Sequence, residues 1–373
     1  MKRHYLTYVS KALGTDKQIK DCLNEYREFT TQLNEAFAIR CTFFVAAQNN
    51  DEYSRIKNII LHQSKDVFFY PTIIGQAPIE GEMAIECVVI DRSENGVSID
   101  LRTANAHPYI LLSSGENKKV LASGLCGDIN SSIKEQSKQA FESLEAILKA
   151  EGLEFSDIVR QWNYIENITQ TTQLENKTFQ HYQIFNDVRS LFYAKADFNL
   201  GYPAATGIGQ DSGGIILEII AAKGPELEII PIDNPEQISA HNYSEKVLVG
   251  KEIKEFEQKS TPKFERAKYV KSPFARTLFI SGTAAIRGEN TIPNDDIIEQ
   301  TQITIENMQK LEYSNSATHN YSMFRLYVKD PKQGPISYAY AKKHFKSAPG
   351  LQLKGPVCRD NLVVEIEAEK ELS

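Results

Sequence analysis

Lys354-Gly355-Pro356-Val357-Cys358-Arg359-Asp360-Asn361-Leu362-Val363-Val364-Glu365-Ile366-Glu367 sets a Cys-Arg pair on a turn and a carboxylate six residues after the arginine, inside an apolar strand. A half-buried strand turns alternate residues inward. Glu365 in that register is either paired to a neighbour or a carboxyl whose pKa is raised by loss of hydration. Arg359 beside it can hold a carboxylate through two parallel hydrogen bonds. Together they describe a pocket that binds an anion and donates a proton.

The same pattern recurs upstream. Tyr70-Pro71-Thr72-Ile73-Ile74-Gly75 leads to Met83-Ala84-Ile85-Glu86, and Tyr202-Pro203-Ala204-Ala205-Thr206-Gly207 leads to Gly214-Ile215-Ile216-Leu217-Glu218. In both, Gly follows Pro by four residues, Glu follows by fifteen, and an aromatic residue, Tyr53 or Phe185, precedes by eighteen. A third copy ends in Pro356 and Glu365, with its loop shortened to nine residues. Val120-Leu121-Ala122-Ser123-Gly124 matches Leu278-Phe279-Ile280-Ser281-Gly282, each followed by a Gln-containing amphipathic segment. Internal repeats of this kind decide a fold before any single element does. The fold class is therefore α+β, with three copies of one unit forming an internal pseudo-trimer, the first copy lacking its opening hairpin. The expected domains are 1–104, an incomplete and divergent unit; 105–223; a linker over 224–267, rich in Pro, Asn, Glu and Lys; and 268–373, which carries Arg359 and Glu365.

The coarse pattern predicts helices over Lys17–Ala38, Glu52–Gln63, Ser132–Glu151, Asn186–Ala194, Asp295–Leu311 and Ser337–Phe345. In the third, Ala140, Phe141, Leu144, Ile147 and Leu148 recur at helical spacing and Gly152 stops the run. Strands are expected over Cys41–Ala47, Ala84–Asp91, Ser98–Arg102, Tyr109–Ser113, Lys119–Ala122, Ile158–Tyr164, Ile215–Ala221, Leu278–Ser281, Tyr321–Val328 and Leu362–Glu369.

A chain of 373 residues can bury a large core. Its net charge of −7 and scattered Lys and Arg give no basic surface for nucleic acid. Five cysteines without metal spacing, and no secretory leader, point to reduced thiols in the cytoplasm. No run is long and apolar enough to span a membrane. No metal-ligand cluster or phosphate loop appears, so no cofactor is expected; Gly207-Ile208-Gly209 is too short a motif for a dinucleotide.

The segments Ser123-Gly124, Phe155-Ser156-Asp157-Ile158-Val159, Phe185-Asn186, Pro356 to Arg359 and Val364-Glu365-Ile366-Glu367-Ala368 resemble the RidA superfamily, whose units have the chorismate-mutase-like fold. Its ordinary members are short chains that trimerise around anion-binding clefts. A closer resemblance is to the chorismatase branch. It rests on Trp162-Asn163-Tyr164, Phe185 to Tyr193, Tyr202 to Gly209, Asn234-Pro235-Glu236-Gln237, Phe264-Glu265-Arg266-Ala267, Phe279 to Ala284 and Cys358-Arg359-Asp360-Asn361-Leu362. These cover most of 120–373 in order, whereas the region before about residue 100 matches weakly. The resemblance implies cleavage of chorismate to pyruvate and a cyclic acid, either a dihydroxycyclohexadiene carboxylate or 3-hydroxybenzoate, sometimes with its 4-isomer.

That chemistry protonates the terminal carbon of an enol ether, so it needs an acid that is neutral near pH 7 and clamps for two carboxylates. Glu365 is the candidate acid. The recurrence of Glu86 and Glu218 at its position favours a structural role for the repeat, yet only the third copy sets an Arg beside it. Arg359 is the first clamp, Arg189 the second and Arg266 a weaker third, each weighed against a solvated surface Arg. Tyr193 and Tyr164 are candidates for hydrogen bonds to the ring carboxylate or hydroxyl, or for core packing with satisfied hydroxyls. Thr206-Gly207 and Ser281-Gly282 permit close backbone approach, or are simple turns or bulges. Trp162 reads as core. Cys358 lacks a histidine partner in sequence and reads as a polar wall. In the resembling family a Cys seven residues before the acid accompanies the 3-hydroxybenzoate-forming group, and Cys358 and Glu365 have that spacing. Two rivals are a RidA-type imine or enamine deaminase using Arg359, and a non-catalytic small-anion-binding protein. An internal trimer predicts a monomer.

Overall fold

A computed structural model describes residues 1–93, 97–174, 177–244, 260–292, 296–311 and 320–372. The middle of the expected linker and the expected helix start at Asp295 lie outside the described residues.

Three sheets follow one another along the chain. The first comprises β1 (Arg3–Val9), β2 (Ala36–Val45), β3 (Thr72–Ile74) and β4 (Met83–Asp91), in the order β1-β4-β2-β3, with α1 (Thr15–Thr30) and α2 (Asn50–Ser64). The second begins with β5 (Ser98–Ala104), β6 (His107–Ser114) and β7 (Asn117–Cys126). It continues through α3 (Ile133–Glu151), β8 (Ile158–Glu166), a small hairpin of β9 (Thr171–Leu174) and β10 (Lys177–Gln180), and α4 (His181–Tyr193). Strands β11 (Ala204–Gln210) and β12 (Ile215–Lys223) complete the sheet order β11-β8-β12-β7-β6-β5. The third holds β13 (Glu228–Ile232), β14 (Ala267–Lys271), β15 (Arg276–Thr283), the short pair β16 (Ile286–Arg287) and β17 (Asn290–Thr291), and α5 (Ile297–Gln309). Then come β18 (Met323–Val328), α6 (Gly334–Phe345), β19 (Gly350–Lys354) and β20 (Val364–Glu371), giving the order β13-β14-β15-β20-β18-β19. The fold is thus α+β with one unit repeated.

Each unit pairs a helix couple with one face of its sheet. Separate apolar clusters lie under α3 and α4 and under α5 and α6, while one larger cluster draws Phe43, Ile85, Leu121, Trp162, Phe279 and Tyr327 from all three sheets. The sheets therefore meet face to face around a common axis. Helix α3 has the expected limits: the Ser132 side chain caps its first turn, and Gly152, at φ 71°, ends it.

Register explains the repeated glutamates. Arg40, Arg160 and Arg325 lie opposite Val88, Ile220 and Glu367, and two residues along, Thr42, Trp162 and Tyr327 lie opposite Glu86, Glu218 and Glu365. The three carboxylates thus occupy one register position. The third proline is different from the sequence reading. Strands β3 and β11 begin directly after Pro71 and Pro203, but β19 begins after Pro349, and Pro356 follows it. The short spacing from Pro356 to Glu365 measures a different loop.

Other departures have local causes. The first helix ends at Thr30 instead of Ala38, because Ala36–Val45, rich in β-branched and aromatic residues, pairs with β4. Thr206 and Gly207 lie in the parallel strand β11 instead of a turn; alanine and glycine make the strand thin enough for Gly207 to face the Tyr182 ring and Gly209 to face Pro356. Within 224–267, β13 and the start of β14 extend the third sheet. In the first unit β1 stands where the other two carry a longer hairpin.

The axis is polar. Arg325 donates twice to Glu86 (2.8 and 2.5 Å), to Tyr164 Oη (2.7 Å) and to Glu367 (3.1 Å). Arg40 donates to Glu369 (2.7 Å), and Arg160 to Glu367 and to Thr206 Oγ1 (2.8 Å). Trp162 packs against the guanidinium groups of Arg40 and Arg160, at 4.6 and 4.4 Å from its ring centroid. Desolvating such charges costs several kcal/mol per ion unless every partner is present. Arg325→Met should therefore lower stability by about 3–5 kcal/mol, because buried Glu86 loses its bidentate partner and keeps only Arg40, at 3.6 Å. Urea denaturation checks this, and an unchanged midpoint would mean that the arginine does not tie the units.

Candidate active site

A cavity with about 720 Å3 of empty space, counted out to its mouth, lies between the second and third units. Its walls come from three sources. Strand β11 and helix α4 contribute Ala205, Gly207, Tyr182, Gln183 and Asn186; the third unit contributes Gly282, Cys358, Arg359 and Glu365; and the connecting segment contributes Tyr243, Phe264 and Arg266.

Glu365 is 5% exposed, and its Oε1 has no hydrogen-bond partner. A methyl group on Gly282 would lie 2.1 Å from that oxygen, so only glycine leaves the carboxyl its place. Burial, and then the neighbouring Glu367, push its pKa up to about 8, against the pull of Arg160 and Arg266. Burial would raise Glu367 too. There, however, Arg160, Arg325 and hydrogen bonds from Thr206 and Tyr327 outweigh it and keep the carboxylate below its usual range. Two carboxyls two residues apart on one strand face are thus split, one neutral and one ionised.

The equivalent carboxyls are occupied. Glu218 accepts from Thr72 Oγ1 (2.7 Å), and Glu86 accepts the Arg325 fork. The Tyr70 ring lies 3.1 Å from where a side chain on Gly124, the counterpart of Gly282, would begin. Of the three register-equivalent glutamates, Glu365 alone has an oxygen without a partner.

The other candidates divide. Arg359, Arg266, Cys358, Gly207 and Gly282 line the cavity with Glu365. Arg359 donates to the Glu289 carbonyl (2.7 Å) and stacks on Tyr243, 5.3 Å from its centroid. Arg266 donates to the Ile238 carbonyl (2.7 Å) and Tyr243 Oη (2.5 Å), leaving Nε without a partner. Burial, and then Glu365, push the Cys358 thiol up to about 12, so it stays protonated. Thr206 sits one layer back, donating to Glu367 and accepting from the Gly282 N–H (3.0 Å).

Three candidates lie elsewhere. Tyr164 belongs to the axis, where its hydroxyl accepts from Arg325. Tyr193 donates to Gln161 Oε1 (2.8 Å) within an aromatic cluster around Phe141, Phe198 and Tyr202. Arg189 is buried behind the wall and donates to Asn186 Oδ1 (2.6 Å). Both tyrosines are satisfied inside the protein, and Arg189 is buried there with its Nε unpartnered; residue type alone does not distinguish such groups from a ligand contact. The sequence reading missed Tyr182, Gln183 and Asn186, which share the face of α4 toward the cavity, and Tyr243, which lay in an assumed linker.

With this geometry in place, comparison with known proteins places the fold. The crystal structure of a chorismatase matches with a TM-score of 0.69 over 99% of this chain and 98% of that one, at 16% identity, so the two share a fold. Residues 103–221 match the family described as Chorismatase FkbO/Hyg5-like, N-terminal. A 3-hydroxybenzoate synthase of Streptomyces hygroscopicus is 26% identical over 249 residues, covering 62% of this chain and 68% of that protein. A chorismatase of the same organism is 27% identical over 221 residues, covering 56% of this chain and 60% of that one. The protein has the chorismatase fold. More particularly, its second unit carries the FkbO/Hyg5-like N-terminal signature.

The raised pKa has two measurable effects. If Glu365 must be neutral to act, activity should fall as pH rises through about 8. The folded state also holds a proton that the unfolded carboxyl releases, so stability is lost as pH rises from the ordinary value of 4.5 toward about 8. Glu365→Gln should consequently have a higher Tm than the wild type at pH 8, with the gap closing by pH 5. Equal melting curves at both pH values would show that the carboxyl is not held neutral.

Proposed function

We propose that this protein cleaves chorismate to pyruvate and a cyclic acid, with 3-hydroxybenzoate as the favoured product. The observation that carries this reading is the neutral, unpartnered Glu365 carboxyl facing a cavity that also presents Arg266 and Arg359. The two guanidinium groups match the two carboxylates of the substrate. Glu365 delivers its proton to the terminal carbon of the enolpyruvyl ether, and an oxocarbenium centre forms at the neighbouring carbon. The Glu365 carboxylate left behind, with its formerly unpartnered oxygen, faces that cation. Water or the ring hydroxyl adds to it, and the ketal or hemiketal collapses to pyruvate. On the water route, loss of the ring hydroxyl as water then gives the aromatic acid, so one water is added and one lost. On the ring-hydroxyl route, the ring carbon–oxygen bond of that former hydroxyl breaks, its oxygen leaves in pyruvate and a ring proton is released, with no water added or lost; neither route needs an external reagent.

Cys358 contributes a protonated thiol to the wall beside the acid, where it shapes the space for the ring without a covalent step. Because three units close the ring within one chain, the protein acts as a monomer, in a compartment where its five thiols stay free. No helix among the described residues is long and apolar enough to cross a membrane.

Glu365→Gln should reduce pyruvate release by on the order of 10²–10⁴, the usual contribution of a positioned acid, while chorismate still binds. A lactate-dehydrogenase-coupled assay and calorimetric titration check the two halves; retained turnover would remove Glu365 from the mechanism. Arg359→Ala should act chiefly on affinity, raising KM by about tenfold or more.

A further inference from the structure

Asn186 lines the cavity and is 1% exposed. Its Oδ1 accepts a hydrogen bond from Arg189 (2.6 Å), while its Nδ2 makes no well-formed hydrogen bond and has the Tyr182 hydroxyl beside it as a weak acceptor for one of its two hydrogens. A guanidinium has no acceptor, so Arg189 fixes which end of the amide faces it. The oxygen must turn toward Arg189 and the NH2 group must turn away. An Asn Nδ2 with a hydrogen left unbonded in a nearly dry wall is expensive unless something else accepts it. Arg189 is itself buried, with Nε unpartnered and the Tyr182 hydroxyl beside it, so it cannot swing out to serve as a clamp.

We infer that Asn186 is a substrate-binding residue, donating through Nδ2 to the ring hydroxyl of the substrate, and that Arg189 is a positioning residue that holds the amide in this orientation. The inference rests on the proposed function. Arg266 and Arg359 account for the two carboxylates, which leaves the hydroxyl as the remaining strong acceptor. A neutral amide donor suits a neutral oxygen, and the nearby positive charge of Arg189 polarises the amide and strengthens the bond. Arg189 thereby acts on the substrate without touching it.

The test compares chorismate with the analogue that carries an amino group in place of the ring hydroxyl. Asn186→Asp keeps an acceptor for Arg189 and nearly the same volume, but replaces the donor with a carboxylate. The ratio of kcat/KM for the amino analogue to that for chorismate should rise about tenfold or more, because the variant now accepts where the wild type donates. Arg189→Met frees the amide to rotate, and should shift the same ratio toward the amine while Glu365 keeps its pH limb. An active wild type whose ratio is unchanged by Asn186→Asp overturns the assignment alone. Equal losses on both substrates in Arg189→Met reduce Arg189 to a structural residue and overturn its positioning role. A wild type that releases no pyruvate from chorismate overturns the functional reading and this inference together.

Discussion

The bidentate grip of Arg325 on Glu86, reinforced by its contact with Glu367, is the constraint on which the molecule depends. It ties the first unit to the third at the centre of the axis. Arg40 returns the tie by holding Glu369, and Arg160 brings the second unit to Glu367. Apolar packing alone is non-directional and would let the sheets slide over one another. A buried guanidinium with few permitted partners does not allow that: any other docking strands a charge.

The same network prepares the site. Glu367 is held ionised by two arginines, a threonine and a tyrosine. Its negative charge then adds to burial in keeping Glu365 protonated two residues away. The structural charge on Glu367 and the proton on Glu365 are therefore one electrostatic system. Thr206 links the two directly, bonding Glu367 with its hydroxyl and accepting from the Gly282 amide, while Gly282 leaves room for the Glu365 carboxyl.

Much of this was legible in the chain. Equal spacings around Pro71 and Pro203 exposed the repeat, and the alternation in Leu362–Glu369 placed Glu365 facing inward. Arg359, Arg266, Cys358 and Glu365 line one cavity. Tyr164, Tyr193 and Arg189 could not be sorted in advance, because a buried tyrosine or arginine bonded within the protein has the same sequence signature as one that meets a ligand. The partners that satisfy them, Arg325, Gln161 and Asn186, lie at separations from 3 to 161 residues. Tyr243 and Phe264 escaped notice because a Pro-, Asn- and Lys-rich stretch reads as a connector, whereas here part of it forms a wall.

The close approach of the Tyr70 ring to Gly124, where Gly282 instead meets the Glu365 carboxyl, carries a wider implication. An assembly of identical subunits must repeat every substitution three times, so a change that rigidifies one junction also plugs the others. Encoding the lobes in tandem lifts that degeneracy. Glu218 is bonded by Thr72, Glu86 is gripped by Arg325, and of the three only Glu365 has an oxygen without a partner, a division of labour open to a covalent trimer and closed to a symmetric one.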